Sequence, residues 1–233
     1  MAVFVNGAET TTVDKTFVEN LLRITEDEYT WYPLHFPADL NDVTVAGTGN
    51  GEAAPRRLNA ATGTTSSSGY TRRMGTNNFA WFKGIQNNLI NWSKRIIFVI
   101  RFQTSTERTT NGVSRILLGP TLADGAKALD DKGIGIEVRN AALYAAAHDG
   151  SSDRTADAGE AMTENITYTV VITSDGSGNV EWFLDGTSTH SISNGPTGNS
   201  TANHNNVNVQ TENNSDSASH KIEAHEILVG FVQ

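Results

Sequence analysis

The chain has 233 residues, a formal net charge of −9 at pH 7 and no cysteine. Its length suits one large β domain, its acidic excess argues against binding nucleic acid by charge neutralisation, and the lack of cysteine excludes disulfides and thiolate chemistry. No apolar run approaches the roughly 20 residues that a membrane-spanning helix needs, and the first residues show no secretory signal pattern.

The first predicted element is an amphipathic helix over residues 14–28, within an N-terminal arm that we place at residues 1–38. Phe17, Leu21 and Ile24 follow an i, i+4, i+7 spacing, which puts them on one helix face. This apolar stripe predicts one of two arrangements. Either the helix packs on the rest of the domain, or it is a docking arm for a neighbouring subunit.

Residues 31–37 are predicted to link the arm to a domain that we place at residues 39–233. Two prolines in this stretch exclude a regular central strand. Trp31 and Tyr32 are the aromatic residues least tied to a predicted strand, so they are the candidates for stacking on a sugar. Packing beneath a sheet edge would require the same residue types.

From residue 39 onward, short β-branched or aromatic runs alternate with turns rich in glycine, serine and asparagine. This rhythm predicts strands at 43–45, 70–74, 79–82, 95–102, 115–120, 133–138, 142–147, 168–173, 180–184, 207–211 and 220–231. The run 96–100 is apolar on both faces, which predicts a central strand. In the last strand the apolar residues change frame, which predicts a β-bulge near His225 and Glu226. The predicted fold class is an all-β, antiparallel β-sandwich with a short N-terminal helical arm.

The clearest local pattern is the hairpin from Tyr168 to Gly186. Two alternating runs flank Asp175-Gly-Ser-Gly-Asn179, and the second run ends in Trp-Phe-Leu-Asp-Gly. This pattern resembles the concanavalin A-like lectin/glucanase jelly roll and its laminin G-like relatives, with residues 96–102 and 222–229 in the places of the early core strand and the closing strand. The resemblance covers residues 40–233 and implies a fold more than an activity. Domains with this layout also resemble structural proteins of tailed-virus particles.

No residue is assigned a catalytic role. A jelly-roll glycosidase needs two carboxylates on one strand face, and the Glu-x-Asp-x-x-Glu signature of those enzymes is absent from the chain. Glu181 and Asp185 would share a face, but Asp185 fits better as a turn residue. A glycoside hydrolase is therefore the third function considered.

Calcium is the metal that the loops could hold, since it binds carboxylate and amide oxygens. The candidate ligands are Asp149 and Asp153 in one loop and Asp175 and Asn179 in another. Both loops also suit ordinary turns. The expected cofactor is therefore none, with calcium as the alternative.

The resemblance and the lack of a catalytic pair predict a non-enzymatic virion structural protein, such as a capsid decoration, turret or tail-associated protein. It would lie on the virion surface, outside the cell, form homo-oligomers and contact other virion proteins. The alternative is a carbohydrate-binding module or adhesin for host or environmental glycans, and the two roles coincide in a host-attachment protein. Neither a nucleic-acid partner nor a membrane span is expected.

Overall fold

The computed structural model describes residues 90–104, 112–119, 129, 131–156, 159–199, 207–213 and 220–232, together with the strand backbone of 29–34, 43–47, 58–61 and 69–74. Within these ranges there is no helix long and apolar enough to cross a membrane. The predicted helix over 14–28, its residues Phe17, Leu21 and Ile24, and the predicted strand at 79–82 lie outside the described residues.

Every regular element in the described part of the chain is a β-strand. In chain order these are β1 (Tyr29–Leu34), β2 (Val43–Gly47), β3 (Leu58–Ala61), β4 (Gly69–Met74), β5 (Ile96–Thr104), β6 (Gly112–Leu118), β7 (Gly133–Arg139), β8 (Ala142–His148), β9 (Glu160–Ala161), β10 (Thr167–Ser174), β11 (Val180–Leu184), β12 (Thr187–Ile192), β13 (Val207–Asn213) and β14 (Lys221–Val232).

The strands form two antiparallel sheets. Sheet A has the order β1-β14-β5-β10-β11-β12, with β3 also paired to β14, and sheet B has the order β2-β4-β13-β6-β7-β8-β9. The chain passes repeatedly between the sheets. Its last strand, β14, lies in sheet A between β1 and β5. The predicted all-β antiparallel sandwich is confirmed.

The core lies between the inner faces of the two sheets. It is built from alternate residues of each strand, because side chains point to opposite faces in turn. In β5 these are Ile96, Phe98, Ile100 and Phe102, each with no exposed surface. The Trp182 indole Nε1–H of sheet A donates a buried hydrogen bond of 2.8 Å to the Gly135 carbonyl oxygen of sheet B. This bond joins the two layers directly.

The β5 strand is central, as its two-sided apolar pattern predicts, because β14 and β10 flank it. The predicted bulge is also present. Ala224 pairs with Phe102 and Glu226 pairs with Arg101, so His225 has no partner across the ladder. The extra residue returns the apolar side chains of β14 to the core face, so that Ile222 and Ile227 are both fully buried.

Part of the predicted linker is a strand, and this corrects the sequence interpretation. Residues 31–34 belong to β1, which pairs along its whole length with β14 and places Trp31 opposite Gly230 and Tyr32 opposite Val229. The prolines exclude a central strand, but an edge strand has one side without ladder hydrogen bonds and so tolerates Pro33. The sandwich therefore begins before residue 39.

Candidate functional site

The outer face of sheet B carries a row of polar and aromatic side chains across four adjacent strands. Strand register places Gln210 of β13 opposite Arg115 of β6, Arg115 opposite Glu137 of β7, and Glu137 opposite Tyr144 of β8. We call Gln210, Arg115, Glu137 and Tyr144 the polar row. Residues directly opposite one another in a sheet are near enough for their side chains to interact.

Ion pairs fix the middle of the polar row. The Arg115 Nε–H donates to Glu137 Oε2 at 2.7 Å, and Arg139 Nε lies 3.2 Å from the other carboxylate oxygen. The Arg139 guanidinium carbon lies 4.3 Å from the centre of the Tyr144 ring, a cation–π contact. One carboxylate thus holds two guanidinium groups, and both charged and planar groups are positioned without a bound ligand.

Gln210 is the unusual member of the polar row. Its side chain has no exposed surface, and within the described structure neither Nε2 nor Oε1 has a hydrogen-bond partner. A buried polar group without a partner costs about 1–3 kcal/mol. Native proteins satisfy most such groups, often through an ordered water. This amide can both donate and accept hydrogen bonds, but only to a group that lies beneath the surface.

A second polar concavity lies at the β10–β11 hairpin and the β12 edge. It is an open pocket of about 550 Å³. Its lining includes Thr173, Asp175, Asn179, Glu181, Ser191 and Asn194. Hydroxyl, amide and carboxylate groups therefore converge here, but the described lining contains no aromatic side chain on which a sugar ring could stack.

The structure brings the predicted ligands Asp175 and Asn179 together, as partners in a turn. Asp175 Oδ1 accepts the backbone N–H groups of Ser177 and Asn179, and Asp175 Oδ2 accepts from the Asn179 side-chain amide at 2.5 Å. Although burial alone would raise the pKa of Asp175, these hydrogen bonds lower it below its usual value. Both carboxylate oxygens are already engaged.

Asp149 is engaged in a similar way at the end of β8. Its Oδ1 accepts the Ser151 and Ser152 backbone N–H groups, and its Oδ2 accepts from Arg154 at 2.6 Å. The Arg154 hydrogen bond, followed by those two backbone bonds, lowers the pKa of Asp149 to about 2. A carboxylate paired with a guanidinium is a poor cation ligand, because the arginine already neutralises its charge.

Asp153 lies in the same loop but has a different partner, the Thr155 hydroxyl, which donates to it at 2.9 Å. Among the described residues no group of three or more His, Asp or Glu side chains is arranged to hold a metal ion. Calcium binding at Asp149, Asp153, Asp175 and Asn179 stays a prediction.

The two carboxylates weighed for catalysis are both occupied by local contacts. Glu181 accepts the Ser188 hydroxyl at 2.6 Å. Asp185 lies in the turn after β11 at φ 46°, and its Oδ1 accepts the Thr169 backbone N–H at 2.9 Å. Burial raises the pKa of Asp185, and the Thr169 bond opposes that shift. Asp185 is thus a turn residue, as expected.

The aromatic residues of the described strands divide between the core and the outer face of sheet B. Trp92 and Trp182 are core residues, at 0% and 2% exposure. Tyr144 faces outward in the polar row, because the core cluster contains its neighbours Leu143 and Ala145. Trp31 and Tyr32 are described only through the backbone of β1, so their role in sugar binding stays a prediction.

No protein-family model matches the sequence. No curated protein matches it either.

Solved structures are similar to this chain in fold. A protein of unknown function from Shewanella oneidensis MR-1 aligns over 97% of this chain and 97% of its own, with a TM-score of 0.54 and 12% identity. The Emp47p carbohydrate recognition domain aligns over 90% of this chain and 99% of its own, with a TM-score of 0.57 and 10% identity. The binding domain of botulinum neurotoxin DC in complex with SialylT aligns over 87% of this chain and 48% of its own, with a TM-score of 0.53 and 10% identity. At such identities the likeness shows the fold alone, and it agrees with the predicted jelly-roll sandwich.

Proposed function

We propose that the protein is a non-enzymatic, lectin-like β-sandwich that binds a glycan on the outer face of sheet B. The observation that carries this proposal is the accessible Arg139 guanidinium, which pairs with the Glu137 carboxylate and lies over the Tyr144 ring. Sugar recognition needs a few convergent amide, carboxylate and guanidinium groups on a preformed surface. The polar row supplies these groups on rigid strands.

The names of two similar structures lend further support. One is a carbohydrate recognition domain, and another is a toxin binding domain in complex with SialylT. These names associate two proteins of similar fold with carbohydrate recognition and with SialylT, which supports the proposal. We propose no reaction, because the Glu181 carboxylate accepts the Ser188 hydroxyl and the Asp185 carboxylate accepts the Thr169 backbone N–H.

Glycan-array binding of the whole chain tests the proposal, followed by titration of the best glycan. We expect Arg139→Ala to weaken binding at least tenfold, because it removes both the ion pair to Glu137 and the contact with Tyr144. Arg154→Ala is the matched control, since Arg154 also pairs with one carboxylate and has a similarly exposed side chain, 34% against 38%. Silence across the array, or equal weakening by both variants, would reject the site.

Gln210→Leu separates a binding role from a structural one. It removes two buried polar groups that lack partners, so we expect the free energy of unfolding to rise by about 1 kcal/mol. Glycan binding should be unchanged, because Gln210 has no exposed surface with which to contact a sugar. Loss of binding in this variant would show that Gln210 contacts the ligand.

We also propose a setting for this activity, the surface of a virus particle, where the protein would form homo-oligomers and contact other virion proteins. The support is the resemblance of the whole sandwich layout, with its loops rich in serine, threonine and glycine, to structural proteins of tailed-virus particles. Mass spectrometry of purified particles, with antibody labelling of intact ones, tests this setting. Absence of the protein from particles would remove the virion role and leave the glycan proposal intact.

A further inference from the structure

Arg139 is the most exposed of the charged side chains that pair within the polar row. Its side chain is 38% exposed, against 13% for Arg115 and 8% for the Glu137 carboxylate that pairs with both. Glu212, whose carboxylate lies 4.0 Å from Arg115, is 22% exposed. A ligand that approaches this part of sheet B therefore meets a cation first, although the whole chain carries a net charge of −9.

The inner side of the Arg139 guanidinium is occupied and its outer end is not. The Nε atom is buried and lies 3.2 Å from Glu137 Oε1. The two Nη groups are accessible, and within the described structure they have no hydrogen-bond partner. Together they form the end of a planar fork whose N–H groups match the two oxygens of a carboxylate.

The Tyr144 ring helps to fix the position of this fork. The Arg139 guanidinium carbon lies 4.3 Å from the ring centre. The backbone before β9 packs against the same ring, since a Cβ added at Gly159 would lie 2.8 Å from two of its atoms. Tyr144 is thus held in place and in turn orients Arg139. A guanidinium that is already oriented loses less conformational freedom when a ligand binds.

The neighbouring carboxylates leave the positive charge of the fork available. Both oxygens of Glu137 already face guanidinium groups. Glu160 of β9 lies opposite Leu143, which belongs to the core cluster. Because side chains alternate between the faces of a sheet, Glu160 is directed to the opposite face from Tyr144. Charge and geometry at this position therefore favour an anionic ligand.

We propose that the site takes an acidic sugar, such as a uronic acid, whose carboxylate binds end-on to the two Nη groups of Arg139. This choice rests on the proposed glycan-binding function and names its class of ligand. Two parallel charge-assisted hydrogen bonds hold a carboxylate more strongly than a neutral hydroxyl, which offers a single oxygen. Arg139 is then the specificity-determining residue, and Glu137 and Tyr144 are positioning residues.

The test uses the whole chain and pairs of ligands that differ in charge. Two carboxylate probes, an oligogalacturonate and sialyllactose, are each compared with their methyl esters by titration. We expect at least one acid to bind, with a Kd about tenfold below that of its ester, which is the effect of one hydrogen bond to a charged group.

Arg139→Ala should remove this preference for the acid, so that acid and ester bind about equally. Arg139→Lys keeps the charge but loses the fork, and it should keep only part of the preference. Arg154→Ala is the control and should leave the preference unchanged, because Arg154 pairs with Asp149 outside the polar row.

Three results would overturn the acidic-sugar proposal. These are equal binding of acid and ester, binding of neutral or sulfated glycans alone on the array, and a preference for the acid that persists in Arg139→Ala. With any of them the chain still binds a glycan, so the proposed function stands. Silence across the whole array would instead reject the proposed function, and the acidic-sugar proposal with it.

Discussion

Asp149 and Asp185 are aspartates whose surroundings shift their pKa values in opposite directions. Hydrogen bonds from Arg154 and two backbone amides lower the pKa of Asp149 to about 2, whereas burial raises the pKa of Asp185. A lowered pKa means that the carboxylate stabilises the fold above its usual pKa and loses this effect as the pH falls. A raised pKa has the reverse sign, so Asp185 weakens the fold as the pH rises through its shifted value.

Asp149→Asn is expected to lower the free energy of unfolding by about 1 kcal/mol at pH 7. Asparagine keeps an oxygen for the Ser151 and Ser152 amides but loses the charge that pairs with Arg154. The difference from the unchanged protein should shrink as the pH falls from the usual pKa of 3.8 towards about 2, because Asp149 then becomes neutral. Urea unfolding at several pH values measures this.

Asp153→Asn serves as the control, because the Asp153 carboxylate accepts the nearby Thr155 hydroxyl at an exposed site. It should change the free energy of unfolding by less than about 0.5 kcal/mol. An Asp149→Asn loss that is the same at pH 7 and pH 2 would contradict the electrostatic explanation.

At the scale of the element, the β10–β11 hairpin packs closely against the turn that precedes β5. Gly176 has φ 84°, and a Cβ there would lie 2.5 Å from the Ser93 carbonyl oxygen. Gly186, in the next turn, has φ 86°, and no atom of the described residues lies within 4 Å of its Cβ position. The two glycines share a backbone conformation and differ in their surroundings.

Gly186→Ala should therefore cost only the backbone strain, about 1 kcal/mol. Gly176→Ala adds a clash with the backbone carbonyl group of Ser93, and its total cost should be about 1–3 kcal/mol larger. Chemical denaturation of both variants gives the comparison. Equal losses in the free energy of unfolding would mean that residues 91–94 shift to make room for the added methyl group, so that their contact with the hairpin is not rigid.

The bulge in β14 predicts unequal effects of two single-residue deletions. Removing His225, which has no partner across the ladder, leaves Ile222 and Ile227 on the core face, so the protein should fold with a loss of about 1 kcal/mol. Removing Leu228 moves Val229 and Phe231 onto the opposite face of the strand from Ile227, so these core side chains cannot all face the core. That variant should not fold. Circular dichroism and thermal melting distinguish the two, and similar behaviour of both would contradict the register.

How far the sequence predicts each element follows from its side chains. The β5, β10 and β14 strands were predictable because their apolar runs match one or both faces of a sheet. The β12 strand has the polar sequence Thr-Ser-Thr-His-Ser-Ile, and β9 has two residues, so neither shows apolar alternation. Both lie at sheet edges, where little burial is needed to form the strand. Local pattern alone misses such strands.

The candidate site shows the same limit. The loop aspartates were visible because Asp, Gly and Ser cluster along the chain, and their turn geometry follows from local sequence. The polar row depends instead on long-range register, since Gln210 is 95 residues from Arg115 but lies opposite it. The available signal was a polar or aromatic residue at the outward positions of three successive strands, Arg115, Glu137 and Tyr144. Without the strand order, that signal cannot be assembled.

At the scale of the whole molecule, two layers must be held in one relative position for the polar row to keep its shape. Most contacts between the sheets are apolar and non-directional. The Trp182–Gly135 hydrogen bond is directional, and Gly135 belongs to β7, the strand that carries Glu137 and Arg139. This bond therefore helps to fix the position of sheet B, which carries the polar row, relative to sheet A.

Trp182→Phe should lower the free energy of unfolding more than Trp92→Phe, by about 1–2 kcal/mol. Both changes remove a similar volume from the core, where the two indoles are 2% and 0% exposed. Trp182→Phe also leaves the Gly135 carbonyl oxygen without its partner, whereas the Trp92 Nε1–H has no hydrogen-bond partner to lose within the described structure.

Urea unfolding of the two variants measures the contribution of the hydrogen bond between the sheets. Glycan titration of the same variants measures whether loss of this bond weakens binding at the polar row. If Trp92→Phe proves equally or more damaging, apolar packing alone sets the relative position of the sheets. If Trp182→Phe is the more destabilising variant and also weakens glycan binding, the core and the binding face are coupled through β7.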